Sequence, residues 1–181
     1  IPLCVPQIQG NEWKYIKECL DTNWVSSVGS YVDKFEESFR KYVHARKAIV
    51  TMNGTSALHL ALLVLGIGAD DEVIVPSLTF IASVNVIKYV RAKPVFVDVC
   101  RDTYCMDTSK IEKLITPKTK AIISVHLYGH PVDMEPLMEL ARKYDLYVKE
   151  DATEGLGALY KGKPVGTIGH IGCFSFNGNK L

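Results

Sequence analysis

Short runs of β-branched and apolar residues alternate along the chain with stretches whose apolar positions recur every three to four residues. The runs fall at 47–51 (Lys-Ala-Ile-Val-Thr), 72–76, 94–99, 120–126, 146–150 and 171–176, and each reads as a strand. Helical periodicity fills the intervals: from near Gly54 to about Leu65, over roughly 79–90, briefly near 109–115, and from Asp133 to about Tyr144. Asp133 is placed to cap the last of these. Ahead of the first strand, residues 11–20 and 33–43 read as amphipathic helices.

Strands this continuously apolar need cover on both faces, and helices between them provide it. The pattern predicts an α/β fold, a three-layer α/β/α arrangement around a mainly parallel sheet. Ligands in such sheets gather at the carboxyl ends of the strands. That rule singles out the loops Asn53-Gly54-Thr55-Ser56, Pro76-Ser77-Leu78-Thr79-Phe80, His126-Leu127-Tyr128-Gly129, Asp151-Ala152-Thr153-Glu154 and Ser175 to Lys180. The division expected is a helical segment over 1–45 and a ligand-binding domain over 46–181.

Composition narrows the functional classes. Of 181 residues, 48% are apolar and 23% charged, and 21 basic against 20 acidic side chains leave a net charge of +1. No basic excess is available to neutralise nucleic-acid phosphates. The longest apolar stretch, Ala57 to Leu65, is too short to cross a bilayer, and no secretory signal is visible. Ile1 is not an initiator methionine, which suggests a trimmed start. Five cysteines (4, 19, 100, 105 and 173) form no CxxC pair. They argue against a structural zinc site, and no metal is expected. Reduced thiols in a cytoplasm fit better than a Cys100–Cys105 disulfide, the alternative.

Asn53-Gly54-Thr55-Ser56 leads from a strand straight into a helix, so free amides, the helix dipole and two hydroxyls could hold a phosphate. The same residues could simply cap the helix. The segment is neither a P-loop nor GxGxxG. Asp151 ends an apolar strand and reads as a solvated turn residue, a metal ligand, or the carboxylate that keeps a pyridoxal ring nitrogen protonated. Lys180 is delivered to the same sheet edge by the strand at 171–174, where a desolvated amine can form imines with carbonyls. Ser175 could bind the same phosphate as Thr55. Phe80 either stacks on a cofactor ring or packs in the core. His59 reads as a packed or surface residue, and His126 as a group at the edge of the site that could touch substrate.

Taken together these residues resemble the nucleotide-sugar aminotransferases of the DegT/StrS group. The matching segments are Asn23-Trp24-Val25-Ser26-Ser27-Val28-Gly29, Phe35-Glu36, Asn53-Gly54-Thr55-Ser56-Ala57-Leu58, Pro76-Ser77-Leu78-Thr79-Phe80, Phe96-Val97-Asp98, Val125-His126-Leu127-Tyr128-Gly129, Glu150-Asp151-Ala152 and Ser175 through Lys180. The resemblance implies pyridoxal 5'-phosphate as cofactor and the aspartate-aminotransferase fold. It also implies a cytoplasmic homodimer with shared active sites, L-glutamate as amino donor and a nucleoside-diphosphate keto-deoxyhexose as acceptor. By the same resemblance Lys180 would carry the cofactor as a Schiff base and Asp151 would pair with its ring nitrogen. Gly54, Thr55, Ser56 and Ser175 would hold its phosphate, and Phe80 would stack on the ring.

Two departures stand out. Glu154 occupies a position where many members carry His or Gln near the cofactor's phenolic oxygen, and a carboxylate there should repel a phenolate unless protonated or turned away. The family also continues into a small C-terminal domain, so the resemblance implies that this chain is the N-terminal part. The surroundings of Glu154 and Lys180 look most like the branch making 4-amino sugars for legionaminic-type acids, which implies a UDP-linked 4-keto-6-deoxy-acetamido-hexose. The alternatives are a pyridoxal-dependent sugar-nucleotide dehydratase of the same fold, a non-catalytic pyridoxal-binding regulator, and a non-enzymatic binding module. The best-known dehydratases of the group have a histidine where Lys180 stands, which favours transamination.

Overall fold

The computed structural model describes residues 6–178 and 180. The chain divides into two units, residues 1–50 and residues 51–181.

In the first unit, α1 (Glu12–Asp21) and α2 (Ser30–Tyr42) are both amphipathic, and neither contains a buried residue. The rings of Tyr15 and Tyr31 meet at 5.1 Å. Tyr31 donates its hydroxyl to Glu18 at 2.6 Å, which pushes the phenol up to about 12. Residues 47–51, expected as a buried strand, are not one: among the described residues they pair with no other strand. Ile49 and Val50 are 68% and 42% exposed, and the Val50 amide donates instead to the Glu36 side chain. An apolar run becomes a strand only where a neighbour accepts its ladder bonds.

The second unit is built on a five-stranded sheet, all parallel, in the order β2-β1-β3-β4-β7. Its strands are β1 (Glu72–Pro76), β2 (Lys93–Val97), β3 (Thr119–Val125), β4 (Tyr147–Asp151) and β7 (Ile171–Cys173). One face packs α3 (Gly54–Val64) and α4 (Ala82–Tyr89) through Leu58, Leu62, Val86 and Ile87 onto Val73, Val75, Ile123 and Cys173. The other packs α5 (Met134–Tyr144) through Met134, Leu137 and Ala141 onto Ile74, Ile122 and Val148. This is the three-layer arrangement that the alternating pattern predicts.

The strand at 171–176 is shorter than expected. Asp151 is the last residue of β4 and pairs with Cys173, so beyond Cys173 no ladder partner remains. The helix at 109–115 is two 3-10 turns, Thr108–Lys110 and Glu112–Leu114. Asp133 takes the N-cap position of α5 but makes no capping bond; its carboxylate instead accepts the Tyr160 hydroxyl. The hairpin β5 (Leu159–Tyr160) and β6 (Lys163–Pro164) was not expected. Its loop, Lys161-Gly162, has φ of 48° and 80°, the positive pair that a two-residue hairpin turn demands.

Gly172 sits where β7 crosses the loop before it. A Cβ there would lie 1.9 Å from the Gly166 carbonyl oxygen, so only glycine lets the two backbones approach. Cys19, Cys100, Cys105 and Cys173 are free thiols, and Cys4 lies outside the described residues.

Candidate active site

Three segments meet at the carboxyl edge of the sheet. Asn53 caps α3 by accepting the Ser56 amide at 2.8 Å, which leaves the Gly54 and Thr55 amides at the open start of the helix. A Cβ on Gly54 would lie 3.2 Å from the Thr153 methyl and 3.2 Å from the Ser175 Cβ. The start of α3, the turn after β4 and the segment after β7 are therefore in van der Waals contact. Two outward amides and the hydroxyls of Thr55, Ser56 and Ser175 make a donor set suited to a phosphate.

Asp151 ends β4 on the same face, 4% exposed. One carboxylate oxygen accepts from the Thr153 hydroxyl at 2.8 Å and the Thr153 amide at 3.2 Å. The other accepts from Ser83 on α4. A carboxylate so buried is not a solvated turn residue, and among the described residues no group of three or more His, Cys, Asp or Glu side chains is placed to hold a metal ion. Thr153 lies in a loop that the sequence marks, whereas Ser83 does not, because its contact with Asp151 spans elements that only the fold juxtaposes.

Lys180 lies at the end of the segment that carries Ser175, with its backbone amide bonded to the Asn177 carbonyl at 2.8 Å. Its ammonium donates to Glu154 Oε1 at 2.9 Å and stands 5.9 Å from the centre of the Phe80 ring. The other oxygen of Glu154 accepts the Tyr128 amide at 2.9 Å. Burial works to raise the Glu154 carboxyl, but Lys180 and the Tyr128 amide outweigh it and hold the group below its usual range. The charge that looked out of place in the sequence is thus turned to Lys180. Phe80, 69% exposed, is a ring at the rim rather than a core aromatic.

His126 does not belong to the edge of the site. It is fully buried, and its Nδ1 accepts the Val132 amide at 3.1 Å, so Nε2 carries the ring proton and donates it to Glu150 at 3.0 Å. Glu150, also fully buried, accepts the amides of Gly166, Ile168 and Gly169 as well. Burial opposes its charge, yet His126 and the Gly169 and Gly166 amides hold the carboxyl below its usual range. On the opposite face Lys149 is fully buried, with its amine 3.4 Å from the Leu58 carbonyl oxygen and depressed by burial. His59 packs edge-on against Tyr89 at 5.6 Å.

This fold is that of an aminotransferase-type α/β protein. The chain belongs to the DegT/DnrJ/EryC1/StrS aminotransferase family, whose model matches residues 6–181. It is 56% identical over 180 residues to a GDP-perosamine synthase of Escherichia coli O157:H7, covering 99% of this chain and 50% of that protein. The solved aminotransferase of Psychrobacter cryohalolentis superimposes with a TM-score of 0.94 at 43% identity, over 97% of this chain and 45% of that one. A Streptococcus pneumoniae protein, described as a sugar aminotransferase (Spr1654) and solved in its PLP form, gives 0.92 at 34% identity, over 99% and 50%. The chain spans about half the length of the relatives it matches.

Proposed function

We propose that the protein is a pyridoxal-phosphate-dependent aminotransferase that transfers an amino group, from L-glutamate, to a nucleotide-linked keto-deoxy sugar. What supports this reading is a pair of contact groups that adjoin along the chain: Asp151, Thr153, Gly54 and Ser175 in one, and Lys180, Glu154 and Phe80 in the other, joined by the Thr153-Glu154 peptide bond and the segment from Ser175 to Lys180. Bound pyridoxal phosphate supplies an aldehyde and an electron-accepting ring. The chain's own groups divide the rest. The Gly54 and Thr55 amides, with the hydroxyls of Thr55, Ser56 and Ser175, bind the phosphate. Asp151 holds a proton on the ring nitrogen, and the Phe80 ring covers the cofactor. Lys180 would supply the amine that holds the cofactor at its aldehyde carbon, the oxygen leaving as water, and would carry protons to and from the substrate carbon. Glu154 keeps that amine pointed into the site.

The name of the relative at 56% identity, a GDP-perosamine synthase, directs the acceptor towards a GDP-linked keto-deoxy sugar rather than the UDP-linked acetamido sugar expected from the sequence. A homodimer with shared sites is part of the same reading. The test is incubation of the protein with glutamate and each keto-sugar nucleotide, following 2-oxoglutarate and the mass of the amino sugar. Formation of 2-oxoglutarate with the GDP sugar is expected. Consumption of the sugar without it would mean dehydration, and the transaminase reading would fall. Borohydride should fix the cofactor to the wild-type protein and not to Lys180→Ala; trapping retained in that variant would remove Lys180 from its role.

A further inference from the structure

Ser83 belongs to α4, an element with no other part in the site, yet its side chain reaches the carboxylate at the end of β4. It is fully buried, and its hydroxyl donates to Asp151. A hydroxyl has one proton and two lone pairs. The proton goes to Asp151, and a lone pair faces the Thr79 hydroxyl at 3.4 Å, whose one proton is shared with the Phe80 carbonyl at the same distance. The Ser83 bond thus runs towards the anion, and whenever Thr79 turns its proton to Ser83 the bonds align from Thr79 through Ser83 to Asp151. Thr79 immediately precedes Phe80 in the loop after β1, so the chain ties that loop to the carboxylate.

The grip on Asp151 is two-sided. Thr153 supplies both donors to one oxygen, and Ser83 supplies the donor to the other. With only Thr153 the carboxylate could rotate about its last bond. With Ser83 in place its plane is set; Thr153 fills both lone pairs of one oxygen, and the oxygen that Ser83 bonds keeps one for a further donor.

We infer that Ser83 is a positioning residue that orients Asp151 towards the ring nitrogen of the cofactor. The inference rests on the pyridoxal-phosphate reading above and adds a residue to it. Ser83 touches neither cofactor nor substrate in this role; it acts through Asp151. Loss of the hydroxyl frees the carboxylate to turn and removes a charge-assisted bond, so the ring nitrogen is held less firmly in its protonated form.

The test uses Ser83→Ala and Ser83→Thr, each loaded with cofactor labelled with nitrogen-15 in the ring. In the wild type the ring-nitrogen resonance should sit at the pyridinium position at pH 7.5. In Ser83→Ala it should move towards neutral pyridine, and the cofactor dissociation constant should rise about tenfold. Ser83→Thr, which keeps the hydroxyl, should restore the wild-type resonance. An alanine variant that binds the cofactor as tightly, with its ring nitrogen as fully protonated, would overturn the role of Ser83 alone. A wild type that binds no cofactor would overturn the functional reading, and this inference with it. A purely structural effect of the alanine would lower stability without moving the resonance of the variant that remains folded, and that result also counts against the role.

Discussion

Glu150 offers the most decisive test of the packing behind the site. Its carboxylate is fully buried and accepts four N–H donors: His126 and Gly166 on one oxygen, Ile168 and Gly169 on the other. Glu150→Gln keeps the shape but turns one acceptor into a donor. Whichever oxygen is replaced, two of the four donors then face an NH₂ group and lose their partner. Each bond to a charged group contributes about 1.5–3 kcal/mol, so two lost bonds alone would cost about 3–6 kcal/mol. The glutamine no longer pays the desolvation of a charge, which returns part of this. The expected net loss is about 3–4 kcal/mol, a large share of the roughly 5–15 kcal/mol that holds an ordinary domain together. Urea unfolding followed by far-ultraviolet circular dichroism would read it as a lower midpoint at unchanged slope. The pH dependence adds a second check. The folded carboxyl lies below its unfolded value, so its contribution is fully present above about pH 5, because the unfolded pKa is about 4.3. The gap between wild type and variant should hold steady from pH 6 to 8 and close as pH falls through the depressed folded value. A loss below about 1 kcal/mol, or a gap that widens in acid, would refute the reasoning.

Lys149→Met should stabilise the protein by about 1–3 kcal/mol at pH 7, because the wild-type amine is buried with one long bond to Leu58. Burial lowers the folded amine, so its cost is full at low pH and fades as pH rises towards the unfolded value of about 10.4. The advantage should shrink likewise in thermal melts, and a destabilised variant at pH 7 would contradict it. Glu154→Gln removes the carboxylate that pairs with Lys180 at 2.9 Å, with the two side chains 26% and 19% exposed. A pair of this kind contributes about 1 kcal/mol, so Lys180 should acylate roughly fivefold faster at pH 7.5 in mass-spectrometric footprinting. An unchanged rate would mean that the contact does not guard the amine in solution.

The period of apolar positions by itself determined the layered architecture, because a strand buried on both faces and a helix buried on one leave different patterns in any sequence. It also pointed to Phe80, Asp151, Ser175 and Lys180 at or beyond the carboxyl ends of strands, since strand direction in a parallel sheet is common to all strands, whereas Gly54–Ser56 was assigned there through a strand at 47–51 that does not form. The partners were decided only by tertiary structure. That Ser83 would meet Asp151, and that Glu154 would turn to Lys180, depends on how α4 and the segment after β7 pack, and no local pattern encodes either. His126 shows the same limit. Its place after β3 suggested the site, but the ring packs inward because Glu150, one residue before Asp151, points to the opposite face and needs a donor there. Residues 47–51 read as strand from their apolar run alone, whereas strand formation depends on a neighbouring backbone that accepts the ladder. Composition and period report which surfaces must leave water; which polar atoms then meet is settled by three-dimensional packing.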